Sequence, residues 1–395
     1  MSTILQGLTV LELCEVYQGP LAGQCLGDFG ARVIKIERGP LGDPLRAGDF
    51  YASERGLMSS YFAAANRNKE SVCLDLKQRA GMEALRALVK TADVLVHNYR
   101  PGVMEKLGLG YEDMAALNPR LVYAAASGFG ESGPWAKMAG QDILIQSISG
   151  IAAKPKAQPQ YVNAPLSDYA SGMLLVQGIL LALMERARSG QGQKVTVSLL
   201  DTAVSIQSLE AAAELNYGVE TRWLDRALNF PIEASDGWLT VLGFFRDNPL
   251  QLICQALELD DLSVELQVPT AAEQLARRED IVARLAPAFR ARPVADAVER
   301  LQRVGILSAP VLEFRKTLRM PQLAHNGMVR AVPVAGQDDM RVIDHPLRLS
   351  RTPHTVRRGP PRLGEHTRAV LAEIGYDEAR TSAAAGDWKG GGCNE

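Results

Sequence analysis

The hydrophobic residues in the first half of the chain fall into short continuous runs that alternate with segments of helical spacing. Runs this apolar are typical of strands that are covered on both faces, as in a parallel sheet. The candidate strands are 8–13, 32–37, 71–76, 94–99, 121–127 and 194–200. Helical spacing occurs over 79–90 and from about Asp168 to Ser189. The pattern predicts an α/β fold whose ligand-binding turns follow the carboxyl ends of the strands.

The pattern changes in the second half of the chain. Between Phe230 and Val311 it predicts several amphipathic helices and a single strand, over 240–245. We therefore expect this segment to form a separate, smaller domain. Beyond Pro310 the chain becomes proline-rich and β-like, and a last amphipathic helix is predicted over 367–375.

Charge and composition narrow the range of partners. The 43 Lys and Arg residues nearly balance 45 Asp and Glu residues, so no global field attracts nucleic acid or a membrane surface. The most apolar segment, 173–184, is shorter than the ~20 residues that span a bilayer and is expected to be a buried helix. The amino terminus lacks a secretion leader, and the five cysteines lack metal-ligand spacing. We expect a cytoplasmic protein that binds no metal, nucleic acid or membrane.

Asp168 is a candidate nucleophile at the start of the long helix. Aspartate is also among the best helix caps, so a purely structural role is an open alternative. Ala170, Ser171 and Gly172 follow, and a glycine there costs ~1 kcal/mol of helix stability unless something must approach closely. The helix dipole favours an ionised carboxylate at this position. An ionised carboxylate beside small side chains suits catalysis through an acyl-aspartyl intermediate.

The segment GFGESG at 128–133 matches the dinucleotide-binding pattern G-x-G-x-x-G and follows a predicted strand. Its context is wrong for that function, because Pro134 and Trp135 follow directly and no helix continues from the glycines. The first strand of the chain also lacks the motif. We expect a tight turn near an anionic or thioester group, rather than a nicotinamide or flavin site.

Basic residues recur at the ends of successive predicted strands. Each alone is typical of a solvated surface charge, but together they indicate a shared anion site, since phosphates bind at this edge of a parallel sheet. The residues are Arg38, Arg46, Arg67, Lys69, Lys77, Arg100 and Lys106. A coenzyme A molecule, with its pyrophosphate and 3′-phosphate, would need several such groups. The histidines form no triad pattern, and no G-x-S-x-G elbow is present.

Six segments of the chain resemble the class III CoA-transferases, the family of formyl-CoA transferase and the carnitine CoA-transferase. They occur in the family's order over about 370 residues, nearly end to end. The segments are 30–46, 61–77, 94–134, 166–173, 185–201 and 362–376. The chain is thereby identified as a member of this family.

The resemblance implies an activity and a set of site residues. Asp168 would be the family's nucleophilic aspartate, which forms a mixed anhydride and then an aspartyl-CoA thioester. Acyl-CoA and a carboxylic acid would be the substrates, with no permanently bound cofactor and no metal. The positions that match the family's CoA-contacting segments are Gln18, Arg38, Leu74, Lys77, Asn98, Tyr99, Arg100, Lys106 and Lys137.

The resemblance also implies an architecture. A large Rossmann-like domain with a parallel sheet would be built from both chain ends, with a small α+β domain inserted between them. Two subunits would interlock as a homodimer. The ranges are 1–225 for the first part of the large domain, 226–325 for the small domain and 326–380 for the return to the large domain, while the small and polar residues of 381–395 predict a disordered tail.

Two departures bear on the reaction and its substrates. The α-methylacyl-CoA racemases of the same superfamily use a histidine in an A-G-H-D segment, and here that position is Gln141. Glutamine cannot exchange a proton at neutral pH, so the racemase alternative loses one of its two bases. Formyl-CoA transferase has a tetraglycine loop that 241–249 lacks, so specificity for formyl-CoA and oxalate is not expected. Arg46 or Arg67 could instead hold the second carboxylate of a dicarboxylic acid.

Overall fold

The predicted strands form one six-stranded parallel sheet in the computed structural model, which describes residues 3–153, 158–221 and 227–386. The strand order is β3-β2-β1-β4-β5-β6, so the α/β prediction is confirmed. The strands are β1 Thr9–Leu13, β2 Arg32–Glu37, β3 Lys69–Cys73, β4 Val94–His97, β5 Val122–Ser127 and β6 Lys194–Ser198. β3 therefore begins and ends earlier than its apolar run suggested.

Helices cover both faces of this sheet, because alternate strand residues point to opposite sides. Leu11 and Ile34 belong to one buried cluster, while Val10 and Val33 belong to another on the opposite face. The helices in this part of the chain are α1 Gln18–Asp28, α2 Phe50–Ser53, α3 Ser60–Asn66, α4 Arg79–Val89, α5 Val103–Lys106, α6 Tyr111–Leu117, α7 Asp142–Ile148, α8 Leu166–Ser189 and α9 Leu199–Ile206. A short 3-10 helix covers Pro44–Arg46.

The chain divides into two compact units, of which the smaller contains Gln207–Ala324. Its strands β7 Asn229–Ala234, β8 Gly237–Leu242 and β9 Leu307–Val311 form an antiparallel sheet with β8 in the centre. The helices that follow α9 are α10 Ser208–Tyr217, α11 Pro249–Leu257, α12 Leu262–Glu265, α13 Ala271–Ala276, α14 Arg278–Arg290, α15 Val294–Arg303, α16 Phe314–Thr317 and α17 Pro321–His325. The sequence pattern predicted only β8, because β7 and β9 each contain a proline, which is tolerated at a sheet edge.

The carboxyl-terminal part of the chain returns to the larger unit. It contains β10 Val329–Val332, β11 Met340–Ile343, α18 Thr367–Glu373 and α19 Glu378–Ala385. The hydroxyl oxygen of Thr367 accepts a hydrogen bond from the Cys73 backbone N–H at 3.0 Å, which docks α18 on β3. Residues 381–385 are helical rather than disordered as expected, and the rest of the predicted tail from 387 lies outside the described residues.

Helix α8 is only partly buried, which corrects the expectation of a buried helix. By length and composition alone it could cross a membrane, and 39% of its most apolar stretch is buried. Leu175 and Ile179 pack against the sheet, while Leu181 and Met184 are 58% and 67% exposed. The helix ends at Gly190, whose φ of 77° is the left-handed conformation that glycine adopts readily.

A buried ionic network joins the first three strands. The side chains of Glu12, Lys35, Lys69 and Asp43 are fully buried, and they come from β1, β2, β3 and the segment after β2. Lys35 Nζ lies 3.1 Å from Glu12 and 2.9 Å from Asp43, and Lys69 Nζ lies 2.8 Å from Glu12. A Cβ atom on Gly23 of α1 would come within 1.8 Å of the Glu12 carboxylate, so the network also requires glycine there.

The pKa values of the two lysines of the network are shifted in opposite directions. Burial disfavours the charged form of both, and it lowers the pKa of Lys69 to about 8 despite the attraction of Glu12. For Lys35 the carboxylates of Glu12 and Asp43 outweigh burial and raise its pKa. Lys35 is therefore the firmly charged member that compensates both acids.

We predict that Lys35→Met destabilises the protein by about 3–5 kcal/mol, because removal of one partner leaves buried carboxylates without compensation. The free energy of unfolding, measured by chemical denaturation, tests this. Lys77→Met is the matched control, since Lys77 is exposed. Equal stability of the two variants would contradict the prediction.

Candidate functional site

The sheet order reverses between β1 and β4, and ligands of open α/β folds bind in the crevice at such a point. Asn98, directly after β4, joins the turns that follow these two strands. Its side-chain oxygen accepts from the Glu15 backbone N–H at 3.0 Å, and its Nδ2 donates to the Glu15 carbonyl at 2.8 Å. Asn98, predicted to contact CoA, thus has both ends of its amide engaged in shaping the crevice.

Gln18, another predicted CoA contact, connects the β1 turn to the first turns of α8. Its buried side chain donates from Nε2 to the Ser171 hydroxyl at 2.9 Å, and that hydroxyl donates to the Asp168 carbonyl at 3.1 Å. A Cβ on Gly172 would lie 2.8 Å from the Gln18 carbonyl oxygen. The group that approaches the small residues of α8 is therefore helix α1, which corrects the idea that Ser171 and Gly172 are small to admit a ligand.

Asp168 is the third residue of α8 and is not its cap. The helix begins after Pro165, and the backbone N–H groups of Ser167 and Asp168 both donate to the Asp142 carboxylate, at 2.7 and 3.2 Å. Burial, followed by the negative charge of Asp142, raises the pKa of Asp168 to about 7. The carboxyl group is thus near half-ionisation at neutral pH, whereas the helix dipole alone led us to expect full ionisation.

The exposed basic residues predicted to bind CoA follow the carboxyl ends of the strands. Arg38 comes directly after β2, Lys77 shortly after β3 and Arg100 shortly after β4, and parallel strands end at the same edge. Lys106 ends α5, and Lys137 lies in the loop before α7. All five side chains are exposed and can meet an anion from solvent.

Four other predicted residues are committed to the protein interior. The side chain of Leu74 is 1% exposed within the core of the sheet, so only its backbone could reach a ligand. Arg46 is paired with Glu37, and buried Arg67 with Asp28. Lys69 belongs to the buried network. These pairings remove Arg46, Arg67 and Lys69 from the predicted anion site. They also correct the suggestion that Arg46 or Arg67 holds a substrate carboxylate.

A cavity of about 280 Å³ lies beside Tyr99 and Arg100. Its other lining residues include His97, Ser127, Glu131 and Lys194. Burial, followed by the charge of Lys194, lowers the pKa of His97 to about 4, so this imidazole is neutral. Lys194 pairs with Glu131 at 2.7 Å. Neither residue could be predicted as part of a site, because Lys194 begins an ordinary-looking strand and Glu131 lies in the glycine-rich turn.

The glycine-rich turn is a close crossing of two backbone segments. A Cβ on Gly128 would lie 2.6 Å from the Gly140 Cα, and no helix begins between this turn and α7. Gly130 and Gly133 have φ values of 91° and 95°, which favour glycine. The absence of a helix after the turn agrees with the rejection of a dinucleotide fingerprint. Gln141 is exposed directly before α7.

Comparisons with known proteins extend over nearly the whole chain. Residues 5–367 match CoA-transferase family III. The chain is 32% identical to the succinate–glutarate CoA-transferase of Agrobacterium fabrum, over 94% of this chain and 95% of that protein. It is 30% identical to the acetyl-CoA:oxalate CoA-transferase of Acetobacter aceti, over 95% of this chain and 96% of that protein.

The fold agrees with a solved structure of similar sequence. A CAIB/BAIF family protein from Brucella suis superposes with a TM-score of 0.85 at 30% identity, covering 95% of this chain and 100% of that chain. The resemblance read from the six sequence segments is thereby confirmed. This chain belongs to CoA-transferase family III and is a transferase.

Proposed function

We propose that this enzyme moves CoA from an acyl-CoA thioester to a free carboxylic acid, with Asp168 as the covalent nucleophile. The observation that carries the proposal is the place of Asp168 in the first turn of α8, linked to the β1 turn through Ser171 and Gln18. A carboxylate with a pKa near 7 is ionised often enough at neutral pH to attack. It is also more basic than an ordinary aspartate, which strengthens it as a nucleophile.

The proposed reaction has four balanced steps. The Asp168 carboxylate attacks the thioester carbonyl, forms a mixed anhydride and expels CoA thiolate. The thiolate attacks the aspartyl carbonyl, which releases the donor acid and leaves an aspartyl-CoA thioester. The acceptor carboxylate attacks that thioester and again expels thiolate. Attack of the thiolate on the acceptor's acyl carbonyl yields the new acyl-CoA and restores Asp168.

Dicarboxylic acids are the acceptors that we propose. The support comes from the relatives, whose names specify succinate, glutarate and oxalate. Arg46 and Arg67 no longer support the idea, because their guanidinium groups are paired with Glu37 and Asp28. A cation for the second carboxylate must therefore come from the exposed residues around the crevice.

A homodimer would cover the exposed apolar face of the larger unit. On α8 the exposed apolar residues include Leu181 and Met184, and on α7 they include Ile143 and Leu144. Large apolar side chains that are exposed together on a protein surface are characteristic of an interface. We propose that a second copy of the chain packs here, in the cytoplasm and without a membrane.

We predict that purified protein exchanges CoA between succinyl-CoA or acetyl-CoA and a panel of succinate, glutarate and oxalate, and that Asp168→Ala abolishes exchange. Mass spectrometry of the acyl-CoA products measures it. Loss of about 10⁴-fold or more is expected when a covalent nucleophile is removed. An Asp168→Ala variant that retains exchange would overturn the assignment. Deuterium entering the α-carbon of a 2-methylacyl-CoA would instead support the racemase alternative.

We predict that Asp168→Asn raises the free energy of unfolding above that of the wild type, and that this gain is larger at pH 8 than at pH 5. The folded wild type binds a proton at Asp168 up to a pKa of about 7, so its stability falls as pH rises from near 4 to near 7. The asparagine variant does not titrate and escapes this loss. Its gain in unfolding free energy should grow by about 2–3 kcal/mol between the two pH values. An equal gain at both would mean that Asp168 has an ordinary pKa.

We predict that Lys77→Ala and Arg100→Ala each weaken CoA binding by about tenfold, as expected for loss of a charge-assisted contact to phosphate. Isothermal titration calorimetry measures the dissociation constant. Lys90→Ala is the control, because Lys90 is exposed at the end of α4 that is remote from the carboxyl ends of the strands. Equal affinities for all three variants would place the phosphates elsewhere.

A further inference from the structure

Asp142 occupies an unusual position for a carboxylate, buried against the start of another helix. It is the first residue of α7 and is 5% exposed. Its Oδ1 accepts hydrogen bonds from the backbone N–H groups of Ser167 and Asp168, at 2.7 and 3.2 Å. Because Pro165 offers α8 no side-chain cap, a residue from a different helix performs that function.

The other oxygen of Asp142 connects to the segment that leads into α8. Oδ2 accepts from Gln146 Nε2 at 2.6 Å, and the Gln146 side chain is fully buried. Gln146 Oε1 in turn accepts from the Val162 backbone N–H at 2.9 Å. Asp142 and Gln146 therefore fix both the first turn of α8 and the segment that leads into it.

The charge of Asp142 has a second consequence. Its bound oxygen accepts from the backbone N–H of Asp168 itself, so the Asp142 charge lies close to the Asp168 carboxyl group and contributes to its raised pKa. Like charges this close disfavour simultaneous ionisation. Acylation of Asp168 removes one of the two charges, and hence their repulsion is relieved when the covalent intermediate forms.

We propose that Asp142 is a positioning residue that also drives acylation of Asp168: its hydrogen bonds orient the first turn of α8, and its negative charge destabilises free Asp168 relative to the acylated form. This inference rests on the proposed transferase function. An acidic residue at a helix start commonly stabilises the helix, which explains the orienting role of Asp142 but not its effect on acylation.

The other titratable groups around Asp168 are few in the described part of the chain. Tyr17, before α1, interacts with Asp168, and Tyr169 follows it on α8. Of the further elements packed on α8, α1 carries Asp28 at its far end, α9 carries Asp201, β6 carries Lys194 and β5 carries Tyr123. Asp201 accepts from the Ser198 hydroxyl and Lys194 is paired with Glu131.

Asp142→Asn removes the charge while its amide oxygen can still accept from the two backbone N–H groups; its NH2 group loses the hydrogen bond from Gln146 Nε2. We expect the acid limb of the kcat/KM profile to move to lower pH by half a unit or more, about threefold in proton affinity. We also expect kcat/KM on the high-pH plateau to fall at least tenfold. Gln146→Ala is the matched control, which keeps the charge and should leave the acid limb where it is in the wild type. An unmoved acid limb in Asp142→Asn would overturn the proposal, as would an equal movement in Gln146→Ala.

A readout without turnover separates this inference from the transferase function. The gain in stability of Asp168→Asn can be followed against pH in the wild-type and the Asp142→Asn backgrounds. If the charge acts as proposed, the titration of that gain moves to lower pH in the second background. If the titration moves but no CoA exchange occurs, the electrostatic coupling is supported and the transferase assignment is overturned. If CoA exchange occurs but the titration does not move, the transferase assignment is supported and the coupling is overturned.

Discussion

The buried ion network of Glu12, Lys35, Lys69 and Asp43 is the constraint on which the carboxyl edge of the sheet depends. Because both lysines are fully buried, their ammonium groups must donate to protein acceptors, which include backbone carbonyls. The network therefore fixes the backbone as well as the side chains. Lys35 Nζ also donates to the Cys14 carbonyl at 2.7 Å, and Asp43 accepts from the Val16 backbone N–H at 3.2 Å. These contacts hold the turn after β1, in which Val16 adopts a left-handed φ of 67°. Such a conformation persists in a valine only where the surroundings enforce it.

From that turn the constraint passes to the candidate site. Gln18 begins α1 immediately afterwards, and its carbonyl is close enough to α8 that only glycine fits at position 172. The side chain of Gln18 then reaches Ser171, one helical turn from Asp168. Asp142 accepts hydrogen bonds from two backbone N–H groups of the same helix end. Asp168, the proposed nucleophile, is therefore positioned by two helices, α1 and α7, and not by the loop residues before α8 alone.

The sequence was sufficient for the sheet and for the place of Asp168, because apolar runs and a long helical pattern are local properties. Residues whose role depends on a distant partner could not be assigned in the same way. Lys69 and Arg67 resembled anion ligands until Glu12 and Asp28 were placed beside them. The role of Asp142, which follows Gln141 in the sequence, could not be predicted, since nothing in the sequence shows that the start of α7 meets the start of α8. The strands β7 and β9 were hidden by their prolines, which are acceptable only because both strands are edges.

Burial of carboxylates has opposite consequences in the ion network and at the start of α8. In the ion network, lysines compensate Glu12 and Asp43, so burial yields a rigid and stable structure. At the start of α8, Asp142 is compensated by backbone N–H groups, whereas Asp168 has a second carboxylate as its neighbour and a raised pKa. An arrangement that served stability alone would place a cation there. In the proposed reaction, acylation by a thioester removes the charge of Asp168 and with it the repulsion from Asp142. Among the described residues no cation pairs with Asp168, an arrangement that suits the proposed acylation better than a purely structural role.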